Sequence, residues 1–330
     1  MKSCVQIFSE LGEHLAKFGS DDESRSAIVR AVADNDWFSV NDIRYAVEAL
    51  RSELLDGEKI EAWLSHYPSA ARNNHRVAII MAGNIPLVGF FDLMCVLASG
   101  CVACVKPSSK DRALEAYIER LLLEIEPALR IEAYVEGGEY DAVIATGGDS
   151  ANLYFRTAFE AIPALLRGSR HSVAVLSGKE KKGDLELLAD DIFAYSGLGC
   201  RSVSLLFVPK GVKVTLPTRK MCAAYHNNYL QCRALLTMQG VKFKDLGEAV
   251  LVNSQAEFPR FLSQINVVEY SSLNDVKQWL IDHDESLQCV VSNLEGLHSR
   301  CVPLGRAQYP TLFDYADECD TMQFLSQIAW

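Results

Sequence analysis

The sequence predicts an α/β protein: two α/β domains with parallel sheets and an N-terminal helical segment. Three observations carry this. Apolar stripes at helical spacing fill the first 75 residues, strands and helices alternate from Arg76, and a second alternation follows Cys200. In the N-terminal segment Ile7, Leu11 and Leu15 form one stripe. Ser39 is placed to cap a helix carrying Ile43, Val47 and Leu50, and a third helix covers Lys59 to Leu64. This reads as a helical cap over a sheet. Strands are then expected at 77–81, 101–105, 131–135, 142–145 and 172–176, with helices at 87–97, 113–125 and 150–159. Beyond Cys200 come a strand at 204–208, a helix at 221–238, strands near 249–252 and 267–270, a helix at 272–281 and a strand at 288–292. The domains so predicted are a helical segment over 1–75, a dinucleotide-binding domain over 76–199, a domain carrying the cysteine over 200–299, and a return segment over 300–330. Cys200 is expected at the seam of the two α/β units, where clefts form, with the Pro/Gly-punctuated tail crossing back over it.

Composition narrows the function. At 330 residues the chain has length for a large core and two domains, and its 49% hydrophobic and 23% charged residues are ordinary globular values. A net charge of -11 argues against nucleic acid or anionic membrane as a partner. The N-terminus has no apolar signal core, and the ten cysteines follow no framework spacing, so reduced thiols in a cytoplasmic protein are expected. Residues 85–105 carry one charge, Asp92, but Pro86, Gly89 and the Ser99–Gly100 break divide them into a buried helix and a buried strand. No membrane span is expected.

The most informative stretch is 185–209. Leu185, Leu187, Leu188, Ile192 and Tyr195 follow helical spacing, Gly197 and Gly199 break it, and 204–208 reads as a strand ended by Pro209. Cys200 is thus a thiol on a loop backed by rigid structure; the plainer alternative is a small buried cysteine at a strand start. Other motifs fail on context. Gly197-Leu198-Gly199 follows a helix rather than a strand, Gly178 to Gly183 lacks the Lys-Ser/Thr of a phosphate loop, and no histidine spacing suits a metal. Cys101 and Cys104 point to opposite faces of a strand, which fits core packing.

Three further segments each end a strand: Gly83-Asn84-Ile85-Pro86, Val105-Lys106-Pro107-Ser108-Ser109 and Ala145-Thr146-Gly147-Gly148-Asp149-Ser150. Open α/β sheets bind ligands at such carboxyl ends. Each segment also has an ordinary role available. Asn84 suits a turn, Lys106 an exposed snorkelling side chain, and residues 146–150 a turn with a helix cap.

In this order the three segments and Cys200 resemble the aldehyde dehydrogenase superfamily, from about Arg76 to Val208 and more faintly to Ser292. There the matching elements are an Asn-x-Pro turn, a Lys-Pro-Ser at the adenosine ribose, a Thr-Gly-Ser turn near the cofactor and a loop cysteine. Two departures select a branch. Aldehyde-oxidising members carry a glutamate about 34 residues before the cysteine, which activates water to hydrolyse the acyl-enzyme; here residues 164–170 hold no carboxylate. The Glu-x-Phe-Gly-Pro ribose motif is also missing. Both, with the short chain and helical front end, look like the acyl-CoA reductase (LuxC-like) branch.

The resemblance implies Cys200 as nucleophile and Asn84, with the Cys200 N–H, as oxyanion donor. It implies Lys106, Ser108, Ser109, Thr146, Gly147, Gly148 and Ser150 at the cofactor, and no metal. Ser109 and Lys110 replace the acid that NAD-preferring relatives carry, which favours a 2′-phosphate and hence NADPH, with NADH as the alternative. The acyl donor is then an acyl-CoA or an acylated carrier protein, with an acyl-transferring partner protein and a homodimer expected. Phe90, Phe91 and Met94 lean toward a hydrophobic acyl chain. The competing readings are an acyl-phosphate reductase of the same superfamily and a catalytically inactive nucleotide-binding or scaffold relative.

Overall fold

Four capped helices lead into the first sheet: α1 (Cys4–Leu15), α2 (Asp22–Asp34), α3 (Val40–Glu53) and α4 (Gly57–Leu64). Ser3, Asp21, Ser39 and Asp56 each accept a first-turn N–H through a side-chain oxygen, satisfying donors that the helix itself leaves open. The α2 helix is absent from the sequence reading, because its one apolar run (Ala27, Ile28, Ala31) is short and flanked by charge. The computed structural model describes residues 2–68 and 73–328 and divides into two units, Met1–Ser169 with Tyr309–Trp330, and Arg170–Gln308.

In the first unit the chain continues through β1 (Arg76–Ile80), α5 (Phe90–Ala98), β2 (Val102–Lys106), α6 (Arg112–Ile125), β3 (Ile131–Ala133), β4 (Ala142–Thr146), α7 (Asp149–Ala158) and β5 (Ala164–Arg167). The strands pair in the order β3-β2-β1-β4-β5, all parallel. The central strands read Val-Ala-Ile-Ile, Val-Ala-Cys-Val and Ala-Val-Ile-Ala, apolar without alternation because both faces are buried. Ile7, Leu11, Ile43, Ile60 and Trp63 of the leading helices share one core with Val77, Ile79, Leu114 and Ile118.

The second unit contains β6 (His171–Val175), α8 (Lys182–Phe193), β7 (Val203–Pro209), α9 (Ala223–Met238), β8 (Lys244–Asp245), β9 (Val250–Asn253), β10 (Gln264–Tyr270), α10 (Leu273–Asp282), β11 (Leu287–Val291) and β12 (Cys301–Val302). Its sheet runs β12-β11-β6-β7-β10-β9-β8, with only β8 antiparallel. The unit boundary therefore falls at 169/170, not at the expected 199/200. The reason is β6, whose backbone hydrogen bonds go to β7 and β11, so it and α8 belong with the cysteine.

The return segment also differs from expectation. Residues 300–308 remain in the second unit, because Cys301 and Val302 pair with β11. The rest rejoins the first unit and forms α11 (Thr321–Ser326) where an irregular tail was expected. Trp63 Nε1 donates to the Tyr315 hydroxyl at 2.7 Å, and the Tyr67 hydroxyl donates to Asp320 at 2.8 Å. Among the described residues no helix is long and apolar enough to cross a membrane; the apolar run after Ile85 is divided between α5 and β2, as expected.

Candidate active site

Cys200 lies in the turn Gly199–Ser202, between α8 and β7. The chain leaves α8 through three consecutive left-handed residues, Tyr195 (φ 54°), Ser196 (φ 55°) and Gly197 (φ 68°). Left-handed backbone costs a non-glycine residue about 1–3 kcal/mol, and Tyr195 and Ser196 adopt it with both side chains buried. The turn closes with Ser202 N–H donating to the Gly199 carbonyl at 3.0 Å. Ser172 of β6, fully buried, donates its hydroxyl to the Cys200 carbonyl at 2.8 Å. The same oxygen accepts the Cys289 N–H at 3.2 Å and lies 3.2 Å from the Cys289 sulfur. Cys200 and Cys319 are the exposed cysteines, and none of the ten is in a disulfide. Burial pushes the thiols of Cys95, Cys104, Cys232 and Cys301 up, which makes them poor nucleophiles.

In the first unit the other candidates gather on one edge. β1, β2 and β4 are neighbours in register, with Ile80 opposite both Lys106 and Ala145. Their carboxyl ends therefore present Asn84, the 106–109 loop and the 146–150 loop side by side. Asn84, Lys106, Ser109, Gly148 and Ser150 are exposed, while Ser108, Thr146 and Gly147 are half-buried. Lys106 Nζ stands 5.3 Å from the Tyr134 ring centroid, and Tyr134 stacks on Tyr140 at 5.2 Å. These rings, with Tyr154, Gly137, Gly138 and Ile162, line a cavity of about 400 Å³. Gly148 caps α7 without a side-chain oxygen, and a Cβ added there would meet no atom within 4 Å.

One sequence expectation changes. Phe90 and Met94 are fully buried in the core of the first unit, and Phe91 packs on Trp63 and Tyr315. They build that core and do not line a site for an acyl chain; a period-3.6 apolar run does not distinguish the two. In the 164–170 segment, expected to lack a carboxylate, Arg167 turns inward. Its Nη1 bonds both Asp92 oxygens at 2.6 Å and its Nη2 donates to Thr321 at 2.7 Å.

Ser172 was not legible as a site residue. The one available signal is a lone hydroxyl within the apolar strand His-Ser-Val-Ala-Val. No group of three or more His, Cys, Asp or Glu among the described residues is arranged to hold a metal ion.

A family model described as acyl-CoA reductase (LuxC) matches residues 21–258. No curated protein sequence matches. Among solved structures the chain is similar to aldehyde dehydrogenase 21 from Physcomitrella patens in complex with succinate, with a TM-score of 0.68 at 11% identity, covering 98% of this chain and 83% of that one. It is also similar to aldehyde dehydrogenase C from Pseudomonas syringae in complex with NAD+ and octanal, with a TM-score of 0.62 at 11% identity, covering 93% and 77%. An NAD+ complex of aldehyde dehydrogenase from Bacillus cereus gives 0.62 at 12% identity, covering 90% and 72%. The fold is that of the aldehyde dehydrogenases.

Proposed function

The chain belongs to the acyl-CoA reductase (LuxC) family, and from that premise we propose that it reduces an acyl thioester to an aldehyde with NADPH through an acyl-enzyme on Cys200. The observation that carries this reading is Cys200 itself. It is an exposed thiol on a turn held by the buried Ser172 hydroxyl, in a chain whose 164–170 segment has no carboxylate to activate water.

The groups at the edge of the first sheet fit a nicotinamide dinucleotide. Lys106 offers a cation, Ser108 and Ser109 offer hydroxyls, and the first turn of α7 has N–H groups with no side-chain cap. The tyrosine-lined cavity beside Lys106 suits a purine ring. Thr146, Gly147 and Ser150 complete the same edge. Ser109 and Lys110 supply no negative charge against a 2′-phosphate, which supports NADPH over NADH.

Under this reading the Cys200 thiolate attacks the thioester carbonyl and the CoA (or carrier) thiolate leaves, taking a proton from solvent. The Cys200 N–H and the Asn84 side chain are assigned to the oxyanion. A bound nicotinamide cofactor supplies the hydride that reduces the acyl carbon. With a proton from solvent this gives a thiohemiacetal on Cys200; its hydroxyl then returns that proton to solvent as the C–S bond breaks, which releases aldehyde and restores the thiolate. Without a water-activating base, the acyl-enzyme persists until it is reduced or passed to another thiol. The donor is an acyl-CoA or acylated carrier protein in the cytoplasm, the chain acts as a homodimer, and an acyl-transferring protein is the expected partner. The test is acyl-CoA-dependent NADPH oxidation with the aldehyde trapped, against Cys200→Ala.

A further inference from the structure

The two loops that carry Asn84 and Lys106 are tied to each other by two buried groups, Asn35 from outside both and Asp111 at the end of the second. Asn35, 5% exposed at the end of α2, donates from one amide nitrogen to the Gly83 carbonyl at 3.4 Å and to the Lys110 carbonyl at 3.3 Å. At the other end of the Asn84 loop, the Leu87 N–H donates to Asp111 Oδ2 at 2.6 Å, and Asp111 is 1% exposed at the start of α6.

Leu87 is buried and left-handed, with φ 55°. A leucine does not hold that conformation unaided, and Asp111 receives the N–H that it presents. Between these two ties the loops touch directly: a Cβ on Gly83 would fall 2.3 Å from Ser108 Oγ and 2.5 Å from Ser108 Cβ. Met81 N–H also donates to the Lys106 carbonyl at 3.1 Å. Residues 81–87 and 106–111 thus have little freedom to move separately.

We propose that Asp111 and Asn35 are positioning residues that lock the Asn84 loop to the Lys106–Lys110 loop, so that cofactor held by the second loop fixes the presentation of Asn84. This rests on the functional reading above, in which Asn84 serves the oxyanion. Neither residue touches substrate; each acts through backbone groups of the loop. The consequence is an order of events, with acyl transfer to Cys200 favoured once the cofactor is in place.

The test compares wild type with Asp111→Asn, Asp111→Ala and Asn35→Ala in the full chain, by amide hydrogen exchange and steady-state kinetics. Adding NADPH to wild type should slow exchange over 106–111 and, with it, over 84–89. In Asp111→Ala the Leu87 amide should exchange at least tenfold faster, and NADPH should protect 106–111 alone. The kcat for acyl thioester should fall at least tenfold while the KM for NADPH changes less than twofold. Asp111→Asn keeps a carbonyl oxygen facing Leu87 N–H and should stay within threefold of wild type on both readouts. A Leu87 amide in Asp111→Ala as protected as in wild type would overturn the proposal, as would an Asp111→Asn variant as impaired as the alanine. If Asp111→Ala does not fold, Asn35→Ala, which leaves the Gly83 and Lys110 carbonyls without that donor, decides by whether NADPH protection of 106–111 still extends to 84–89 and by the fall in kcat. Absence of NADPH protection over 106–111 in wild type would instead overturn the functional reading, while the exchange rate of Leu87 would still test the tie.

Discussion

The Ser172 hydroxyl donates a 2.8 Å hydrogen bond to the Cys200 carbonyl, joining the strand that opens the second unit to the turn that carries the thiol. Both partners belong to one sheet system, so the bond holds the turn against β6. A buried hydrogen bond of this kind contributes about 0.5–1.5 kcal/mol, roughly two- to tenfold in a rate that depends on the turn's geometry. Ser172→Ala should slow Cys200 acylation by that factor in stopped-flow measurements. Cys289→Ala, which leaves the hydroxyl and carbonyl in place, should stay within twofold.

The Asp92–Arg167 pair predicts a stability effect. Both side chains are nearly inaccessible and their bonds are 2.6 Å. Arg167→Met strands a buried carboxylate and should cost about 3–5 kcal/mol in urea unfolding. The double variant Asp92→Leu/Arg167→Met should recover most of that loss, because the desolvation of both charges disappears together.

Asp111 gives the chain a pH-dependent stability of defined sign. Burial raises its carboxyl to about 8, against an ordinary value near 4 in the unfolded chain. Between those values the native state keeps a proton that the unfolded chain has released. This group's contribution therefore falls as pH rises through that window and levels off above about 8. The slope reaches about 1.4 kcal/mol per pH unit. Asp111→Asn removes it, so the variant should gain about 2 kcal/mol relative to wild type between pH 6 and pH 8. Glu115, whose carboxyl is also pushed up by burial and then by Asp111, keeps the same sign in both proteins and loses only the part due to Asp111 in the variant.

Cofactor choice is tested at Lys110. If the missing acid and the added base favour a 2′-phosphate, Lys110→Glu should lower the NADPH/NADH ratio of kcat/KM at least tenfold, chiefly through KM. Wild-type efficiencies favouring NADH more than tenfold would refute the preference for NADPH.

The fold was legible because the central strands of both sheets are buried on both faces, with helices of clear period between them. The Asn84, Lys106 and Thr146 loops were found for the same reason: each directly follows such a strand. The sequence hid what depends on distant partners. Ser172 meets a carbonyl 28 residues away, Asn35 meets carbonyls 48 and 75 residues away, and Arg167 meets an aspartate 75 residues away. β5 was missed because its Ala-Leu-Leu-Arg ends in a charge that only the buried Asp92 makes tolerable. The misplaced domain boundary has a similar cause. β6 looks like one more strand of the first alternation until its pairing with β7 and β11 is seen.

The central claim is a covalent acyl group on Cys200. Intact-mass and peptide mass spectrometry after mixing the protein with an acyl-CoA and NADP+, which fills the cofactor site without supplying hydride, test it most directly. The account predicts one acyl adduct per chain, located on Cys200, absent in Cys200→Ala and lost as aldehyde when NADPH is added. An adduct on Cys319, also exposed, instead, or none with any chain length while NADPH is still oxidised, would contradict it.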